Sequence, residues 1–241
     1  MSLVNHLGEL RKRLIRIGIV LVLSMIISLY YTPGFLSLLQ GTAPIKVVWN
    51  VFSPGDVLSI YMQLSFSLGL IITAPYVMYQ LWAFVKPGLK KSEQKAALKY
   101  VPFSACMFAI GMLFGYFVVF RMVLLFTNSL NMHMEIQQMY GLDKYISFLL
   151  GIVIPVAGVF ELPVVVMFLT VIHILHPDIL RKYRKYAYFL LFIVSAMITP
   201  PDVISDLIVC IPLVLLYELS IFLSNLVIRK QEIYQRTIEI A

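Results

Sequence analysis

A chain of 241 residues that is 61% hydrophobic and only 13% charged, with a mean hydropathy of +0.91, has too little polar surface for a water-soluble globule and reads as a single membrane domain over residues 1–241. Its net charge of +7 does not point to nucleic acid, because the basic residues sit in short clusters beside apolar runs, where membrane topology and anionic lipid account for them. Cys106 and Cys210 both fall inside apolar runs and read as small core residues, not as a disulfide or a metal pair.

The first apolar run follows Arg11, Lys12, Arg13 and Arg16, so it has the basic and apolar parts of a secretory leader. It ends in Leu29, Tyr30, Tyr31, Thr32 and Pro33, with no small-residue cleavage site, and is expected to stay as an uncleaved span over 14–31. The gap 32–56 carries Pro33, Gly34, Pro44, Pro54 and Gly55 around apolar patches, which predicts turns and short surface helices. The second span is placed over 57–82. The uncharged run 57–85 around it exceeds the roughly 20 residues needed to cross about 30 Å of hydrocarbon. A third span is expected over 101–126, with Gly111 and Gly115 forming a G-x-x-x-G step for close helix packing. The fourth runs over 145–174, the fifth over 186–198 and the sixth over 203–228. The fifth is short, since about 13 residues reach only about 20 Å, and must thin the bilayer or sit in a protein hollow. Pro75, Pro102, Pro155, Pro163 and Pro212 lie within or at the rims of spans and predict kinked, unequal helices.

Orientation follows from charge. Arg11, Lys12, Arg13, Arg16, Lys86, Lys90, Lys91, Lys95, Lys99, Arg181, Lys182, Arg184, Lys185, Arg229, Lys230 and Arg236 share one side, leaving Lys46, Arg121 and Lys144 for the other. Such a bias marks the cytoplasmic face and puts both termini inside.

Acids stand out against so much hydrocarbon. Glu161, in Phe160, Glu161, Leu162, Pro163, sits mid-span, where a charge costs on the order of 3 kcal/mol on insertion scales. It is expected either to stay protonated and hydrogen-bond a neighbour or to face a wet cavity. Glu218 poses the same question and can simply pair with a polar group on a neighbouring helix. Glu9 and Glu93 are lone acids in basic clusters. Taken locally, Glu9 pairs with Arg13 at i,i+4, and Glu93 follows a Ser92 N-cap at the start of the third helix. His173, His176 and Asp178 invite a metal, but interfacial residues before Pro177 are the simpler reading, and no metal or cofactor is expected. No nucleophile elbow, phosphate loop or H-E-x-x-H pattern is present. Two other classes compete with a binding role: a proton-coupled small-solute transporter using Glu161, and an intramembrane hydrolase built on His173 or His176, which lacks any supporting motif.

The stretch His6, Leu7, Gly8, Glu9, Leu10, Arg11, Lys12, Arg13 resembles the N-terminal signature of the TatC family, the multispanning receptor subunit of the twin-arginine protein translocase. Further matches follow in order: Ala74, Pro75; Tyr79, Gln80, Leu81, Trp82, Ala83, Phe84; Pro87, Gly88, Leu89 and Glu93; Gly115, Tyr116, Phe117; Phe160, Glu161, Leu162, Pro163; and Thr199, Pro200, Pro201, Asp202. The resemblance covers nearly the whole chain. It implies an all-α integral membrane protein of six transmembrane helices, concave and glove-like, without enzymatic activity. Such a receptor binds twin-arginine signal peptides of folded cargo through Glu9 and Glu93, with Gln80, Phe84 and Pro87 shaping the nearby surface. Planar guanidinium groups suit that site, since they bind carboxylates bidentately and Lys does so less well. The resemblance also implies Glu161 as the intramembrane polar residue of the concave face. Thr199, Asp202 and Asp206 match the region associated with small single-span translocase subunits of the TatA/TatB type, although Asp206 falls where other members can carry a neutral polar residue. Assembly with further copies in a larger complex, in the cytoplasmic membrane and driven by the proton gradient, completes the expectation.

Overall fold

The computed structural model describes residues 3–43, 49–86, 94, 98–133, 141–199 and 203–240. Among them every regular element is helical: α1 (Leu3–Thr42), α2 (Pro54–Val85), α3 (Tyr100–Phe114), a π-helical turn (Gly115–Phe120) leading into α4 (Arg121–His133), α5 (Leu142–Phe160), α6 (Leu162–Val171), α7 (Pro177–Lys182), α8 (Arg184–Ile198) and α9 (Val203–Ile240). Five stretches are long and apolar enough to cross a bilayer: α1, α2, α3 with α4, α5 with α6, and α9. The 15 residues of α8, where the short fifth span is expected, reach about 22 Å and are not among these five.

Each boundary has a local cause. Ser53 caps α2 by accepting from the Gly55 N–H, and Asp56 Oδ2 accepts from the N–H groups of Ser53 and Phe52 at 2.9 and 3.0 Å, with Pro54 supplying a preset first-turn φ. The fourth apolar stretch breaks at Glu161 because Pro163 has no N–H for the Val159 carbonyl. Val164 and Val165 instead donate to the Glu161 carbonyl and restart the helix as α6.

The gap 32–56 corrects the expectation of surface turns, since α1 continues through Pro33 to Thr42. Tertiary packing holds it there. Leu39 is buried with Ile60 and Leu64 of α2, and Thr42 Oγ1 shares a 2.6 Å hydrogen bond with the Tyr116 hydroxyl.

The α5–α6 stretch lies at the centre, buried over more than half of its apolar window, whereas α1 is buried over about a tenth. Exposed Leu14, Ile19, Val22, Leu23 and Ile26 give α1 its lipid face. The core joins Ile60 and Leu64, Phe120, Ile146, Ile152, Val156 and Phe160, and Val209, Leu213 and Ile221. Helices approach closely where side chains are small. A Cβ on Gly111 would lie 2.7 Å from Phe160 Cβ, on Gly115 3.1 Å from Val153 Cα, and on Gly69 3.1 Å from the Met25 nitrogen. The expected G-x-x-x-G contact is therefore the α3–α5 crossing. Small hydroxyls add polar links, Thr32 to Ser65 between α1 and α2 and Thr170 to Ser224 between α6 and α9. Cys210 is partly buried, but Cys106 is exposed, which corrects its assignment to the core.

Candidate functional site

At the basic end the start of α1 packs beside the last turns of α2, and one guanidinium joins them. Glu9 and Arg13 are four residues apart on α1, so their side chains share a face. Arg13 Nε and Nη2 donate to Glu9 Oε1 at 3.1 and 2.5 Å. The same group reaches α2, with Nη1 donating to Gln80 Oε1 at 3.0 Å and Nη2 to the Ala83 carbonyl at 2.8 Å. Gln80 is buried, and its Nε2 donates to the Tyr76 hydroxyl at 2.5 Å, so its carbonyl oxygen is turned toward Arg13. Ala83 is available because the residue four positions on is Pro87, which has no N–H to offer it. Carboxylate, amide oxygen and main-chain carbonyl thus converge on one planar cation, the geometry charge-assisted guanidinium binding favours.

The local Glu9–Arg13 pairing was legible at i,i+4. Its extension to Gln80 and Ala83 was not, because it depends on the α1–α2 packing. Phe84 lies partly buried one turn beyond Gln80. Pro87 and Glu93 lie outside the described residues. Among the described residues that flank them in sequence, Trp82 Nε1 donates to the Gln94 carbonyl at 3.1 Å, and Lys86 Nζ stands 4.9 Å from the Trp82 ring centre.

Glu161 sits at the α5–α6 break, where Ser104 of α3 donates to its Oε1 at 2.9 Å. Its Oε2 is buried and has no partner among the described residues. The carboxyl is therefore met by a neighbouring helix on one oxygen alone. Sequence reasoning missed Ser104, for which the only signal was a hydroxyl in an apolar run.

At the opposite end, Thr199 and Asp206 are both buried. Ser195 of α8 donates to Asp206 Oδ1 and so ties α8 to α9, while Thr199 donates to the Ser195 carbonyl at 3.0 Å within the end of α8. Asp202 lies outside the described residues. Glu218 takes the bland role: Arg184 Nη2 donates to its Oε2 at 2.7 Å and the Tyr188 hydroxyl to its Oε1. Among the described residues no His, Cys, Asp or Glu cluster could hold a metal. His176 is the N-cap residue of α7, with its Nδ1 3.1 Å from Asp178 Oδ2, while His173, at φ 59°, closes α6. There the Ile174 N–H bonds the Leu169 carbonyl and the His173 N–H the Thr170 carbonyl, a Schellman turn.

Residues 5–212 match the family model described as Sec-independent protein translocase protein (TatC). The chain is 41% identical over 231 residues to the Sec-independent protein translocase protein TatC of Halalkalibacterium halodurans, covering 95% of this chain and 91% of that one. It is 40% identical over 233 residues to TatCy of Bacillus subtilis, covering 96% and 92%. A crystal structure described as the twin arginine translocase receptor TatC superposes with a TM-score of 0.79 at 34% identity, over 92% of this chain and 99% of that one. These relatives are protein translocase components, which decides against the small-solute transporter and hydrolase readings. The chain belongs to the TatC family of Sec-independent protein translocase proteins.

Proposed function

We propose that this chain is the receptor of its translocase, binding the paired arginines of signal peptides on folded cargo at the basic end of α1 and α2. The observation that carries this reading is the convergence of Glu9, Gln80 and the Ala83 carbonyl on a guanidinium. The reading also draws on the related crystal structure described as a twin arginine translocase receptor. Glu93, with Phe84 and Pro87, is assigned to the second arginine and the signal-peptide chain around it. Lys86, Lys90, Lys91 and Lys95, which flank Glu93 in sequence, repel a cation placed elsewhere and sharpen the site.

The basic side faces the cytoplasm in this proposal, so both termini are inside the cell membrane and cargo arrives from within. Small single-span partners are recruited at the other end, near Thr199, Asp202 and Asp206. Since Thr199 and Asp206 are buried, the contact surface is carried by exposed Met197, Val203 and Leu207 beside them. Glu161 supplies a polar point within the membrane, and export draws on the proton gradient through the assembled complex, which includes further copies of this chain.

The test is signal-peptide binding to the purified chain in detergent. Ala at both Glu9 and Glu93 should abolish twin-arginine affinity and its advantage over twin-lysine. Unchanged affinity and preference in that double variant overturn the assignment. At Glu161, Gln should be tolerated better than Ala in an export assay; equal loss would assign its role to charge or proton transfer instead of hydrogen bonding.

A further inference from the structure

Arg13 presents the Glu9 site with the ligand chemistry proposed for cargo. A side chain that only neutralised Glu9 would need no contact with α2, yet Arg13 spans to Gln80 and Ala83, leaving its side chain just 15% exposed. Glu9 is more open, at 28%. Among the described residues both bonds from Arg13 to Glu9 fall on Oε1, so neither occupies Oε2. Arg11, Lys12 and Arg16 are exposed on the same turns.

We infer that Arg13 is a specificity-determining residue, a resident guanidinium that occupies the Glu9–Gln80–Ala83 seat and is exchanged for the guanidinium of an incoming signal peptide. This rests on the reading of Glu9 as a recognition carboxylate. The exchange starts on Glu9 Oε2 and ends with cargo arginine on the three acceptors while Arg13 swings into the layer of anionic lipid headgroups, where a cation is favoured. Replacing one guanidinium by another conserves the fork of bonds. Replacing it by an ammonium does not, because Lys is a compact point charge without the planar array of donors. The resident arginine therefore raises the threshold for every cation and raises it most for lysine, so that discrimination comes from the competitor as well as from the seat.

The experiment measures twin-arginine and twin-lysine signal-peptide affinities by fluorescence anisotropy for the full chain and its Arg13→Gln, Arg13→Lys, Arg16→Gln and Glu9→Gln variants. Arg13→Gln should tighten twin-arginine binding about fivefold and twin-lysine binding by more, narrowing the preference. Arg13→Lys keeps the charge and should give a smaller gain in the same direction, which bulk electrostatics cannot supply. Arg16→Gln removes an equal charge outside the seat and should change either affinity by less than about twofold. Weaker or unchanged binding in both Arg13 variants overturns displacement, as does an Arg16→Gln effect as large as that of Arg13→Gln. Should Arg13→Gln fail to fold, Arg13→Lys decides alone. If Glu9→Gln leaves affinity intact, the receptor reading fails at this site; if Glu9→Gln loses binding while the Arg13 variants gain nothing, displacement alone fails.

Discussion

Placing one methyl group on Gly111 tests the packing that supports Glu161. The new Cβ would stand 2.7 Å from Phe160 Cβ, 2.8 Å from Ala157 Cα and 2.9 Å from Phe160 Cγ, where carbon atoms normally approach to about 3.5–4.0 Å. Ala157 Cα is backbone, so no rotamer relieves the clash and α3 must move away from α5 by about 1 Å. Ser104 and Glu161 bridge the same pair of segments at 2.9 Å, and an added ångström takes that contact out of hydrogen-bonding range. Overpacking costs about 1–3 kcal/mol and the lost bond about 1 kcal/mol. Together these lower the midpoint of thermal unfolding by roughly 5–15 °C for a chain of this size. The assay is thermal stability of purified Gly111→Ala in detergent against Gly151→Ala, whose added Cβ meets nothing within 4 Å and improves helix propensity by up to about 1 kcal/mol. Equal melting of the two variants would refute the close α3–α5 crossing.

Three further outcomes are expected. Ser195→Ala leaves buried Asp206 without its donor and should cost about 1–3 kcal/mol in detergent unfolding, while Ser195→Ala with Asp206→Leu should recover part of that loss; no recovery would separate the two side chains. His173→Gly should stabilise the chain by up to about 1 kcal/mol, because φ 59° is strained for a residue with a Cβ and free for glycine; a lower melting point would contradict the Schellman turn. Glu218→Gln keeps an acceptor for Tyr188 but ends the ion pair with Arg184. Since both partners are more than a third exposed, the loss should be below about 1 kcal/mol and should disappear in high salt.

Sequence and structure divide the description of this molecule in a regular way. The apolar stretches, the short α8 and the G-x-x-x-G contact were legible because length, hydropathy and small residues act locally, along one helix. The course of α1 beyond Pro33 was not. Proline chemistry favours a stop there, and what overrides it is Leu39 and Thr42 packing against helices distant in sequence. Cys106 was misplaced for a related reason, since an apolar helix carries no mark of which side meets protein and which meets lipid.

The candidate site divides along the same line. Glu9 with Arg13 was visible as a spacing, and the family resemblance supplied the expected role of Glu9 and singled out Gln80 and Phe84. That Gln80 and Ala83 close on the same guanidinium as Glu9, that Ser104 meets Glu161 and that Ser195 holds Asp206 depended on helix crossings. What the amino-acid order determined by itself is which segments prefer hydrocarbon, where polar groups interrupt them and on which side the cations collect. Only the tertiary structure decided which polar groups meet, because a hydrogen bond requires two atoms within about 3 Å, and residues 67 or 70 positions apart reach that distance only when packing brings their helices together.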